Sequence, residues 1–311
     1  MINFLSRLRR QIFLAFCNTF SANGSIPNLI FNIDDGSRDY FIPLKGMPKE
    51  MSRKLPLLIP LFLITLAESL FFLKMLETTL LVHGINLFFC IFFPFAVKHD
   101  PSVYQGFSLV SVLRILNLGM PVFWTLTLYW LPFIYGAAIL ASYCVLKSEE
   151  KEKLSERVKR AFVSVKLHPK RYLFFTTAGV FMGLMLSNLE FAVLKSESLI
   201  PSLDVYNLLL LAIVMFLFIG FGEELIFRFI LQTRLQREYG RYQTLFIASF
   251  VFMLMHSGYS SLTYLVFVFF IGLVLGYAFM KTRSLFFITI IHGSINFFLF
   301  SLIPNGYLTL F

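Results

Sequence analysis

Two adjacent glutamates inside an apolar run are the first residues of this 311-residue chain that demand a chemical explanation. The run reads Ile219-Gly-Phe-Gly-Glu-Glu-Leu-Ile-Phe-Arg228. An ionised group at bilayer depth costs several kcal/mol unless it is paired or faces a wet cavity, so Glu223, Glu224 and Arg228 are functional candidates. On a helix Glu224 and Arg228 stand i and i+4 with the acid N-terminal, the favourable order for an ion pair. Glu223 projects about 100° away from Glu224, so Arg228 cannot neutralise both equally. One carboxylate is then paired and the other is left to act as a general base.

Two further apolar runs bring the partners such a base would need. One ends Phe252-Met-Leu-Met-His256 and the other contains His292-Gly-Ser-Ile-Asn296. In each, residues four apart share a helix face. A carboxylate with an imidazole can deprotonate water, and preorganised donors in a dry site stabilise the negative charge that follows. The blander readings are a structural ion-pair cluster for Glu223, Glu224 and Arg228, hydrogen-bonded core histidines, and an Asn296 that bridges helices. Phe252 reads as core packing rather than chemistry. Gly220, Gly222, Gly272, Gly276 and Gly293 would let these helices approach closely.

Glu223-Glu224-x-x-x-Arg228, Phe252-x-x-x-His256 and His292-x-x-x-Asn296, in that order on successive spans, resemble the CPBP family, which covers the type II CAAX prenyl endopeptidases and bacteriocin-processing enzymes. The resemblance covers roughly Tyr172–Ile303. It implies a water-activating Glu223 working with His256, with His292 and Asn296 polarising the scissile carbonyl and Arg228 holding Glu224. The family is commonly called a metalloprotease, and Glu223, His256 and His292 would suit Zn²⁺ with an open position. The same set would suit an acid–base site without metal, and the metal form is marginally preferred. There is no H-E-x-x-H helix, no G-x-S-G loop and no G-x-G-D aspartate in a span; the Asp34-Asp35 pair lies in a polar stretch.

These residues need a membrane-embedded helical frame, and composition supplies it. Hydrophobic residues make up 58% of the chain and charged residues 14%, with 40 phenylalanines and a mean hydropathy of +0.77. Soluble domains sit nearer 45–50% apolar and about 25% charged. Repeated apolar runs long enough to cross a ~30 Å hydrocarbon core predict an all-α, polytopic transmembrane helical bundle of about eight spans. The net charge of +10 lies between those runs, a membrane pattern, so the lipid bilayer is the expected environment and no nucleic acid partner is expected. Cys17, Cys90 and Cys144 are too scattered for a disulfide framework or a cysteine metal site.

Four regions follow. Residues 1–54 form a cytoplasmic or interfacial segment, with Gln11–Phe20 as an in-plane amphipathic stretch. Residues 55–146 hold membrane helices of no assigned role, residues 147–171 a basic cytoplasmic segment with nine Lys or Arg and four Glu, and residues 172–303 the catalytic membrane domain. Keeping both basic regions cytoplasmic makes the N-terminus cytoplasmic and requires Phe107–Leu146 to cross twice, broken near Pro121 or Trp130, or to be re-entrant. Arg234, Arg237, Arg241, Lys281 and Arg283 then lie inside, Ser257–Ser261 and the C-terminus outside, and the site opens toward the cytoplasm.

Glu68 and Glu190 are expected to hydrogen-bond within the bundle, Glu77 and His83 to flank a turn, and Arg114 to snorkel to the cytoplasmic surface. The stretch Trp124–Tyr135 reads as an interfacial aromatic belt. The expected function is an intramembrane endopeptidase acting on a peptide or protein substrate, prenylated or not. The alternatives are a non-catalytic scaffold of the same fold and a proton-coupled transporter, for which inverted repeats would speak; none is visible. Oligomeric state is not fixed.

Overall fold

The computed structural model describes residues 54–96, 99–119, 127–147 and 169–310. The N-terminal amphipathic segment and nearly all of the basic segment at 147–171 lie outside these. Nine helices and no strands occur among the described residues. They are α1 (Leu58–Phe72), α2 (Leu76–Ala96), α3 (Pro101–Leu118), α4 (Thr127–Lys147), α5 (Pro169–Leu194), α6 (Val205–Leu235), α7 (Arg241–Leu254), α8 (Leu262–Thr282) and α9 (Leu285–Leu299).

Six helices among the described residues are long and apolar enough to cross a membrane, and α7 and α9 are shorter apolar helices. Together these roughly agree with the about eight spans that the sequence predicts. The ninth, α3, is the least apolar of the first four and is buried along most of its length, including Tyr104, Phe107, Leu113 and Arg114. The long apolar stretch Phe107–Leu146 therefore resolves into two helices, α3 and α4, with α3 ending at Leu118. Outward faces are strongly apolar: Phe133 is 72% and Leu262 71% exposed, which lipid tolerates and water penalises. These helices and their lipid-type surfaces make the chain an integral membrane protein.

α6 is the axis of the site. Asp204 caps its start by accepting from the Asn207 N–H at 3.0 Å. Hydrogen bonds from the Ser202 hydroxyl and the Asn207 N–H hold the Asp204 carboxyl below its usual range. Along α6, Val214–Gly220 and Leu225–Gln232 adopt the wide π-helical turn, and the regular turn Phe221–Glu224 lies between them. Short π segments concentrate at functional positions because they re-aim side chains within a continuous helix. Here they bracket the two glutamates.

Close approach of α6 to α9 depends on absent side chains. A Cβ on Gly220 would come 3.0 Å from the Gly293 nitrogen, and one on Gly293 would meet the Phe216 ring at 2.4 Å. α5 approaches α9 in the same way, since a Cβ on Gly183 would lie 2.3 Å from the Ser294 Cβ. The expectation that glycines bring the helices together holds.

Basic residues gather at one end of the bundle. Arg283 donates to Gln236 at 3.2 Å and Arg237 lies 3.8 Å from Asp100. Arg234 is buried at this end, donating to the Ser102 carbonyl at 2.9 Å. The Ser257–Ser261 turn lies at the opposite end of α8 from Lys281 and Arg283, as the charge pattern requires.

Candidate active site

Glu224 is fully buried and its Oε1 serves two donors. Arg228 Nη1 approaches at 3.1 Å and His292 Nδ1 at 2.7 Å. The i,i+4 pair foreseen from sequence is present, and the carboxylate also fixes the imidazole of α9. Because that oxygen is shared with a guanidinium, His292 Nδ1 carries the proton and donates. Arg228 is further held by the Gly272 carbonyl at 3.3 Å and lies 4.1 Å above the Phe252 ring.

Glu223 is held differently. Its Oε1 accepts from the Tyr135 hydroxyl of α4 at 2.5 Å, while its Oε2 has no hydrogen-bond partner. That oxygen lies 3.7 Å from His292 Nε2, too far for a direct bond. Glu224 Oε2 also lacks a partner, but Glu224 is committed to Arg228 and His292 through Oε1, whereas Glu223 is tied by a hydrogen bond to Tyr135 alone and lines the cavity.

His256 sits just past the end of α7. Its Nδ1 lies 3.0 Å from the Phe252 carbonyl, which can only accept, so Nδ1 is protonated and the neutral ring presents a bare Nε2. Phe252 is core, as expected, with the Phe227, His256 and His292 rings packed around it. Its backbone also sets the tautomer of His256.

Glu223, His256, His292 and Asn296 line one cavity of about 210 Å³. Its other walls are mainly apolar, with Leu131, Leu199, Ile271 and Phe300 among them. Residues that begin or end helices, Asn117, Thr127 and Phe300, are also lining. They belong to the bundle end away from Arg237, Arg241 and Arg283. The cavity therefore lies away from the basic end, with the basic-end halves of α4, α6 and α7 between it and that end.

Three expectations are corrected. Tyr135 belongs to the site rather than to an aromatic belt, being 6% exposed, although its neighbours Tyr129 and Trp130 do face outward. Arg114 does not snorkel; it is buried and paired with Glu68 through Nε and Nη2, both at 2.8 Å. His83 does not flank a turn but lies fully buried in α2, bonded to Glu68 and Ser111. Glu77 does stand exposed in the first turn of α2. Glu68 and Glu190 hydrogen-bond inside the bundle as expected, Glu190 accepting from Tyr264 at 2.7 Å, and Glu190 also lines the cavity.

The donor types of Glu223, His256 and His292 suit Zn²⁺, but their arrangement does not. Among the described residues no group of three His, Cys, Asp or Glu stands as a coordination shell.

Residues 205–298 match the family model described as Type II CAAX prenyl endopeptidase Rce1-like. The matched range contains Glu223, Glu224, Arg228, His256, His292 and Asn296, and is less than a third of the chain. No curated protein and no solved structure gives a significant match. The helices and the family match together describe an integral membrane protein in which residues 205–298 resemble a type II CAAX prenyl endopeptidase domain.

Proposed function

We propose that the chain is an endopeptidase that hydrolyses a peptide bond of a membrane-associated peptide or protein tail, using Glu223 as the base that activates water. The observation that carries this reading is the free Oε2 of Glu223, buried in a shared cavity 3.7 Å from His292 Nε2. A carboxylate with no partner at such depth is costly unless it serves a bound water or substrate.

The hydrogen bonds of Glu223, His256 and His292, and the place of Asn296 in the cavity wall, support the following roles. Tyr135 fixes one oxygen of Glu223 and leaves the other for water. The water oxygen attacks the carbonyl carbon, and its proton passes to Glu223 with the bare Nε2 of His256 as the assisting acceptor. The oxyanion forms opposite donors from Asn296 and from His292, whose imidazolium is stabilised by Glu224. Collapse breaks the C–N bond, and the protonated Glu223 returns its proton to the leaving amine. One preorganised oxyanion donor is worth roughly 10²–10³ in kcat.

An apolar cavity wall suits a lipid-modified or strongly hydrophobic tail, and a prenylated C-terminus is one such substrate. With the basic end and the N-terminus on the cytoplasmic side, the cavity lies toward the opposite leaflet. The test is cleavage of a panel of prenylated and unmodified tail peptides by the purified protein in bilayers made up in H₂¹⁸O. One ¹⁸O in each new carboxyl group supports hydrolysis; intact peptides across the panel, with substrate-driven proton flux instead, would favour transport.

A further inference from the structure

His256 stands where a helix no longer supports it. α7 ends at Leu254, and the chain continues through Met255 and His256 into the short 3₁₀ turn Ser257–Tyr259. Its imidazole is oriented by a local bond to Phe252, but the backbone that carries it needs an outside anchor.

That anchor comes from α1, α2 and α3, outside the family-matched residues. Arg114 Nη2 donates to the Met255 carbonyl at 2.6 Å, and the Ser257 hydroxyl donates to Glu68 Oε2 at 2.6 Å. The residues immediately before and after His256 are thus gripped by two side chains that grip each other, since Arg114 makes a two-point pair with Glu68. Behind them a directed chain of bonds completes the network. Asn86 donates to Ser111 at 2.9 Å, Ser111 and His83 Nδ1 lie 3.1 Å apart, and His83 Nε2 lies 3.1 Å from Glu68 Oε1.

No fully buried polar side-chain atom of this network lacks a partner, and Glu68, His83, Asn86 and Ser111 are fully buried. A buried network that is fully satisfied specifies one arrangement, because any shift leaves a donor or acceptor unpaired. Simple helix packing would not need a charged pair, and apolar residues of the same size would pack as well or better.

We infer that Glu68 and Arg114 are positioning residues: they form a buried clamp on Met255 and Ser257 that holds His256 at the cavity. The residues at 55–118, whose role sequence leaves open, thereby act on the reaction site without touching substrate. The catalytic part of this inference rests on the endopeptidase reading; the placement of His256 does not.

The test uses full-length protein in bilayers and follows carbethoxylation of each histidine by diethyl pyrocarbonate, peptide by peptide. Glu68→Gln and Arg114→Lys keep size and polarity but break the two-point pair. Thr79→Val, in the same α1–α2 contact but outside the network, reports ordinary packing loss. The clamp predicts a several-fold change in the His256 labelling rate in both network variants, with His292 unchanged and Thr79→Val like wild type. Where peptide cleavage is measured, kcat falls roughly 10- to 100-fold with KM little altered. Unchanged His256 labelling, or equal changes at His256 and His292, would overturn the clamp. Should either network variant fail to fold, Ser257→Ala removes one grip alone and the same labelling pattern decides. Absence of any peptidase activity in wild type would refute the endopeptidase reading and leave the labelling result standing.

Discussion

Glu224 and His292 are joined across two helices by a 2.7 Å contact from Nδ1 to Oε1, and the same oxygen also accepts from Arg228. The two glutamates differ in their partners: Glu224 is a counter-ion to Arg228 that sets the His292 imidazole, and Glu223 is the carboxylate that lines the cavity with its Oε2 unpartnered. Replacing Glu224 should harm fold and activity together. Glu224→Gln leaves a 1%-exposed Arg228 without its counter-ion, and breaking a buried pair costs about 3–5 kcal/mol. Thermal unfolding in detergent should fall well below wild type, alongside lost cleavage; an unchanged melting temperature would show that Arg228 is neutralised elsewhere.

Tyr135 offers a gentler perturbation. Tyr135→Phe keeps the ring and deletes only the donor to Glu223. A hydrogen bond to a charged group is worth about 1.5–3 kcal/mol to the fold, so the melting temperature should fall modestly while kcat, which depends on the orientation of Glu223, should drop roughly 10- to 100-fold. Wild-type kcat in this variant would mean that Glu223 is oriented without the phenol.

The α6–α9 approach can be probed at Gly220. A Cβ there would meet the Met215 carbonyl at 2.8 Å and the Gly293 nitrogen at 3.0 Å, backbone atoms on both helices. Overpacking of this sort costs about 1–3 kcal/mol and would part Glu224 from His292. Gly220→Ala should thus lower both thermal stability and kcat, whereas Gly84→Ala, with open space around the added carbon, should change neither.

Metal dependence is open to direct measurement. Since Glu223, His256 and His292 do not form a coordination shell, cleavage should survive exhaustive dialysis against a chelator, with metal content checked by elemental mass spectrometry. Loss on chelation and recovery with Zn²⁺ would require the three side chains to close around an ion.

What could be foreseen was local. Glu224 with Arg228, and His292 with Asn296, are separated by four residues, and helical periodicity alone puts each pair on one face. The glycines that permit close helix contact were legible because a missing Cβ has few other uses inside a span. Tyr135 was not legible: it sits in an aromatic-rich stretch, and its bond to Glu223 spans 88 residues. Arg114 and His83 were misplaced for the same reason. Each looks like a group seeking water, and nothing in its own helix announces Glu68, 46 and 15 residues away, as the partner. The depth of the cavity also escaped, because charge patterning orients helices but does not say how far along each one the site lies.

The most direct test is the hydrolysis rate of Glu223→Gln against wild type on a cleaved peptide, in protein whose melting temperature is unchanged. General-base catalysis contributes roughly 10²–10⁴-fold, and the amide cannot accept the water proton, so kcat should fall by that much with KM retained. Cleavage by the folded variant at the wild-type rate would contradict Glu223 as the base.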